Sequence, residues 1–191
     1  MKIADIIAAS NIAACPSRFR QAMSVLLPLE CAFEEDGVTI RMECVPGDSG
    51  GRTFAGIDEA SHPDFPFDDP TPQAVVAAYE PEWNRLRSCE LPFPVGAALF
   101  IQGTNQGDER CEVMLQSAIN DYGGKIEEDG VIGPATVRAA WSIPADDLSR
   151  AFLAKSRTRY RQIIARTPRD EKFEAGWLAR ITAIESAFSL A

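Results

Sequence analysis

Helical spacing of apolar residues dominates this chain and leaves little room for a large sheet. From Ser17 onward, Phe19, Ala22, Met23, Leu26, Leu27 and Phe33 stand at offsets 0, 3, 4, 7, 8 and 14, one face of a helix. Offset 11 on that face is Glu30, a carboxylate where the pattern asks for an apolar side chain. Pro28, two positions earlier, removes a backbone donor and is expected to kink the helix there. A further helix is expected over residues 71–87, with Thr71 as N-cap and Pro72 in the first helical position. Others are expected around Cys111, Met114, Leu115 and Ile119, over residues 135–141, and in two longer carboxyl-terminal segments. The last of these aligns Phe173, Trp177, Ile181, Ile184 and Phe188. Strict alternation occurs once, at residues 37–47, where Val38, Ile40, Met42 and Cys44 predict a half-buried strand. The expected fold class is mainly α, with one small β element beside Glu30.

Charge and composition narrow the function. The chain has 191 residues and a net charge of −9, which disfavours general affinity for nucleic acid or anionic membranes. No apolar run approaches the ~20 residues needed to cross a bilayer, so no stable membrane insertion is expected. Asp5 interrupts the short apolar amino-terminal stretch at once, making it a weak signal peptide, and synthesis in the cytoplasm is expected. Five cysteines, an odd number without a CxxC pair, form a poor disulfide framework and a poor zinc site. They read as free thiols made in a reducing compartment. A catalytic thiol would need His62, the single histidine, which lies in turn-like sequence.

One stretch opposes the overall charge. Residues 150–169 hold seven basic and no acidic side chains, so this segment carries +7 and the rest of the chain −16. Two readings are open: the solvated outer face of a packed helix, or a contact surface for an anionic polymer such as a bacterial envelope component.

Several polar residues are candidates for chemistry. Glu30 on an apolar face would be desolvated, which raises a carboxyl pKa as a general acid near neutral pH requires; alternatively it lies at the helix end and reaches into solvent or caps a turn. Asp48 opens a Gly-rich turn, where an Asx-turn competes with a catalytic role, and Thr53 is either a loop threonine or a group that orients a water or sugar hydroxyl. The runs Glu34-Glu35-Asp36 and Glu127-Glu128-Asp129 lack metal-ligand spacing, and no nucleotide-binding, GxSxG or HExxH motif occurs. No metal and no cofactor are expected.

In order along the chain stand Glu30-Cys31-Ala32-Phe33, Asp48-Ser49-Gly50-Gly51-Arg52-Thr53-Phe54-Ala55-Gly56-Ile57, Tyr79 with Trp83, and Asn105-Gln106-Gly107. Asp129-Gly130-Val131-Ile132-Gly133-Pro134-Ala135-Thr136 and Gly176-Trp177-Leu178-Ala179-Arg180 follow. Together they resemble the motifs of glycoside hydrolase family 108, bacterial and phage N-acetylmuramidases with a lysozyme-like helical fold and a carboxyl-terminal peptidoglycan-binding region. The resemblance spans about residues 19–181 and implies a catalytic lobe at 1–106 with a helical peptidoglycan-binding-like region at 107–191. It implies that Glu30 is the general acid cleaving the bond between N-acetylmuramic acid and N-acetylglucosamine, with Asp48 or Thr53 as the second group. Tyr79, Trp83 and Asn105 would line sugar subsites, each with a structural role as the competing reading. Glu34 and Glu35 are the fallback acids if the register shifts. The partner so implied is bacterial peptidoglycan, reached through a holin or a dedicated secretion machine. Cys31 and Ala32 replace the two glycines that follow the family's catalytic Glu, and the longer interval to Asp48 holds the expected strand. These departures motivate a second expectation, a non-catalytic peptidoglycan-binding or structural protein of a phage or secretion system.

Overall fold

The computed structural model describes residues 1–44 and 50–190. Among them the chain is mainly α, with eight α-helices, one 3-10 segment and one small three-stranded antiparallel sheet. It divides into two compact units, Met1–Asn84 and Arg85–Ala191. The 106/107 boundary read from sequence instead falls between α4 (Val95–Gln106) and α5 (Asp108–Asp121), both in the second unit, where they pack on each other.

In the first unit, α1 (Ile3–Ala9) packs on α2 (Pro16–Glu30). The expected stripe of α2 is buried: Phe19, Ala22, Met23, Leu26 and Leu27 are all inaccessible to solvent. The helix continues through Pro28; the carbonyl deprived of its donor belongs to Ser24, an exposed residue. It ends at Glu30, since Cys31 turns extended with φ −89° and ψ 133°. Phe33 therefore leaves the helical face on which its spacing placed it and forms a β-bridge with Ile40.

The first part of the expected strand is a turn, not a strand. Both oxygens of the Asp36 carboxylate are engaged: it accepts from the amides of Val38 and Thr39, each at 2.8 Å, and from the Thr39 hydroxyl at 2.6 Å. These bonds tie residues 36–39 into a turn, leave Val38 exposed and hold the Asp36 carboxyl at about 2, below its ordinary range. Among the described residues of this segment, 37–44, strand is found at β1 (Glu43–Cys44), and residues 45–47 of the expected strand lie outside the described residues. The Gly-rich segment, read from sequence as turn, supplies the rest of the sheet as β2 (Arg52–Phe54) and β3 (Ile57–Asp58). After it, α3 (Pro72–Arg85) starts as expected, with the Thr71 hydroxyl accepting from the Ala74 amide at 3.1 Å.

The second unit is built around α4, whose residues Val95 through Gly103 are all buried. Gly96 lets the helix meet the preceding chain, because a Cβ there would lie 2.1 Å from the Ser88 carbonyl oxygen. Around it pack α5 and α7 (Ala145–Arg166); α6 (Pro134–Ala140) packs on α5 and α8 (Glu174–Ala187) on α7. On α8, Ile181 and Ile184 are buried as expected; Phe173, which ends the 3-10 segment Pro168–Phe173, is exposed. Buried Arg180 donates to the carbonyl of Ile101 at 3.2 Å, a group near the carboxyl end of α4.

Two of the five cysteines depart from the free-thiol expectation. Cys15 and Cys89 are disulfide-bonded, while Cys31, Cys44 and Cys111 carry free thiols. No helix among the described residues is long and apolar enough to cross a membrane.

Candidate functional site

Glu30 is the last residue of α2 and is half-buried, where the helix gives way to extended chain. What lies beside it is the turn of a hairpin. Phe54 pairs with Ile57, leaving Ala55 and Gly56 as a two-residue connection with φ +52° and +78°. Two positive φ values define the turn type whose twist matches paired antiparallel strands, and they favour glycine. Gly56 also sits where a side chain has no room. A Cβ there would fall 2.8 Å from Glu30 Cβ and 2.7 Å from the Tyr79 hydroxyl oxygen. Tyr79, reaching in from α3, donates its hydroxyl proton to the Ala55 carbonyl at 2.7 Å. The helix end, the hairpin turn and α3 thus converge on Glu30, all within the first unit.

The motif Gly50-Gly51-Arg52-Thr53-Phe54-Ala55-Gly56-Ile57 is this hairpin with its lock. The Arg52 guanidinium donates to Glu59 at 2.7 Å and to Asp68 at 2.6 Å, and lies 5.2 Å from the centroid of the Phe67 ring. These bonds, to Glu59 first, raise the Arg52 pKa further and hold that of Glu59 down. Sequence reasoning passed over Arg52, Glu59 and Asp68; the signal was Arg between glycines with an acid just past the returning strand. On the opposite side of the pleat from Phe54, half-buried Thr53 pairs with Glu43 of β1 and Asp58 of β3. These three polar residues share one face of the small sheet. Asp58 accepts from the Ser61 amide at 2.9 Å, which keeps its pKa low.

The other sequence candidates lie in different settings. Asp48 is outside the described residues. Trp83 is completely buried, its ring 5.4 Å from Phe19 in an edge-on arrangement, so it offers no face to a sugar. Tyr79 is 8% exposed and holds the hairpin through its hydroxyl. Asn105 belongs to the second unit and accepts from the Tyr160 hydroxyl at 2.7 Å. Glu34 and Glu35 are exposed residues of the Asp36 turn. Beside Glu30, burial and then the Glu30 charge push the Cys31 thiol up to about 12, which keeps it protonated and a poor nucleophile. A cavity of ≈ 400 Å³ in the first unit is lined by Ser61, His62 and Phe65 with Ala74, Ala77 and Ala78, and Glu30 is not part of it. No cluster of three or more metal-ligating side chains occurs among the described residues.

The late motifs are structural in their local chemistry. Gln116 of α5 clamps the Asp129–Thr136 turn: its amide nitrogen donates to Asp129 at 2.6 Å and to the Val131 carbonyl at 3.0 Å, while its oxygen accepts from the Gly130 amide at 2.9 Å. Trp177 stacks on Tyr160 at 5.0 Å with the rings 12° from parallel.

This carboxyl-terminal helical region, residues 110–182, matches a family model described as a predicted peptidoglycan domain. The fold of the chain is similar to that of a solved structure, Brucella abortus SagA, at a TM-score of 0.69 and 21% identity over 91% of this chain and 95% of that one. No curated protein matches the sequence.

Proposed function

We propose that this chain is a peptidoglycan-cleaving muramidase acting on the bond between N-acetylmuramic acid and N-acetylglucosamine, with Glu30 as general acid. The observation that carries the reading is the junction at Glu30. A half-exposed carboxyl ends a helix whose preceding turns are core, against a hairpin held rigid by Tyr79 and by the Arg52–Glu59–Asp68 network. A glycosidase needs such a fixed carboxyl to protonate the departing glycosidic oxygen, and a second polar group to stabilise the oxocarbenium-like transition state or direct water. Thr53 is the described residue we assign to that second task, with Asp48 as its alternative. The match of residues 110–182 to a predicted peptidoglycan domain supports the wall as substrate. The disulfide-bonded Cys15 and Cys89 suit action outside the cytoplasm, where disulfides persist.

The test is clearance of a suspension of purified sacculi together with mass spectrometry of the soluble products. Wild type should release muropeptides ending in reducing muramic acid, and Glu30→Gln should abolish release while keeping the thermal midpoint. Full activity in that variant overturns the assignment. A second reading, a wall-binding protein without catalysis, draws on Cys31 and Ala32 where the resembling family has paired glycines. Sedimentation with sacculi without any soluble product would establish it.

A further inference from the structure

The basic stretch of the sequence divides in the structure into satisfied and unsatisfied cations. On α7, Arg150 pairs with Asp147, Lys155 with Asp121 and Arg157 with Glu185, and beyond the helix Arg169 meets Asp170. Arg159, Arg161 and Arg166 have no ion-pair partner among the described residues, nor has Arg110 of α5. Arg159 is the informative one. It is half-buried between α5 and α7, and its Nε is enclosed without a hydrogen-bond acceptor. Burial, and next the charge of Arg110, lower its pKa, with Arg166 adding a smaller push in the same direction. A buried guanidinium donor without a protein acceptor, set among like charges, is unfavourable until an acceptor or an anion meets the guanidinium.

The space beside it is a groove. Glu109, Arg110, Val113, Met114 and Arg159 line a volume of ≈ 270 Å³, and a neighbouring one of ≈ 350 Å³ continues past Met114 and Arg159 to Lys155, Thr158 and Gln162. We propose that this α5–α7 groove is a binding site for a peptide carboxylate of the wall polymer, received by the guanidiniums of Arg159 and Arg110. The assignment rests on the wall reading above and deepens it by naming the chemical group and its receptors. A guanidinium fork matches the two oxygens of a carboxylate. Glu109 on the same groove disfavours a dianion such as phosphate and can accept from an amino or amide donor, and a peptide carries both groups. Arg157, engaged by Glu185 at 3.1 Å, is not part of the site.

The full chain should be titrated with an N-acetylmuramyl peptide bearing free carboxylates, with its fully amidated counterpart and with inorganic phosphate, following the arginine Nε–H resonances. Wild type should hold the free acid about tenfold more tightly than the amide, the strength expected of one charge-assisted contact. Arg159→Gln should remove that preference, Arg159→Lys should restore part of it, and Arg150→Gln should leave it intact. Should Arg159→Gln fail to fold, Arg110→Gln on the exposed rim should lose affinity alone. Equal affinity of both glutamine variants and wild type for the acid peptide overturns the site, as does phosphate competing as well as the acid. Sedimentation with sacculi separates the two readings. Wild type that binds the acid peptide but not sacculi keeps the site and rejects the wall, whereas sacculus binding with no peptide preference does the reverse.

Discussion

Replacing Gly56 with alanine should disturb stability and activity together, because one methyl group meets two parts of the proposed site. The backbone at φ +78° is left-handed, and an L side chain there adds roughly 1 kcal/mol of strain. The added Cβ would stand 2.7 Å from the Tyr79 hydroxyl oxygen and 2.8 Å from Glu30 Cβ, both well inside van der Waals contact. Neither neighbour yields easily, since Glu30 Cβ is fixed to the helix backbone and Tyr79 is buried with its hydroxyl bonded to Ala55. Moving the ring breaks that bond, worth about 1 kcal/mol. The sum is about 2–3 kcal/mol with the overlap included, or a fall in thermal midpoint of about 5–10 °C for a chain of this size. Wall clearance should fall by at least about tenfold if Glu30 is the acid, since a small displacement of a catalytic group costs that much or more. Tyr79→Phe should by itself cost about 0.5–1.5 kcal/mol. The Gly56→Ala/Tyr79→Phe double variant should be less destabilised than the sum of the two, because losing the hydroxyl relieves half of the clash. Urea unfolding of the four proteins and turbidity assays at matched concentration measure both effects. A Gly56→Ala protein within about 0.5 kcal/mol of wild type, with full activity, would refute the contact geometry on which the site is built.

The Asp36 turn and the cysteines give two further tests. The Asp36 carboxyl is held at about 2 by hydrogen bonds from Thr39 and Val38, so what it contributes is present above its ordinary range near 3.8 and lost as pH falls through about 2. The difference in urea midpoint between wild type and Asp36→Asn should therefore be constant from pH 7 to 5 and shrink between pH 4 and 2, and a difference independent of pH would reject the carboxylate's role. With a thiol reagent and no reductant, the unfolded chain should titrate as three free thiols, rising to five after reduction. In the folded protein exposed Cys44 should react first and buried Cys111 last; five free thiols before reduction would contradict the oxidised state of Cys15 and Cys89.

Local rules worked where the physics is local. The stripe from Phe19 to Leu27 is buried as its spacing requires, and Thr71 caps α3. They failed at Phe33 and at Val38, because Cys31 leaves the helix and Asp36 claims the amides a longer strand would need. In the site, the position of Glu30 was legible as a carboxylate out of pattern. The hairpin was not, since its strands are too short for alternation to register and its turn is specified by positive φ at Ala55 and Gly56 rather than by polarity. Trp83 and Tyr79 looked alike as aromatic candidates, and burial separates them from a sugar platform.

The amino-acid sequence by itself determined the mainly helical class, the register of the α2 face and the location of an acid at its end, because periodicity and backbone donors act within a few residues. The tertiary structure alone decided which groups surround that acid, that Gly56 and Tyr79 close on it, and that Arg157 is neutralised while Arg159 and Arg110 are left facing a groove. Each of these depends on chain segments distant in sequence meeting at a few ångströms, and charge pairing, steric exclusion and desolvation are set at that range.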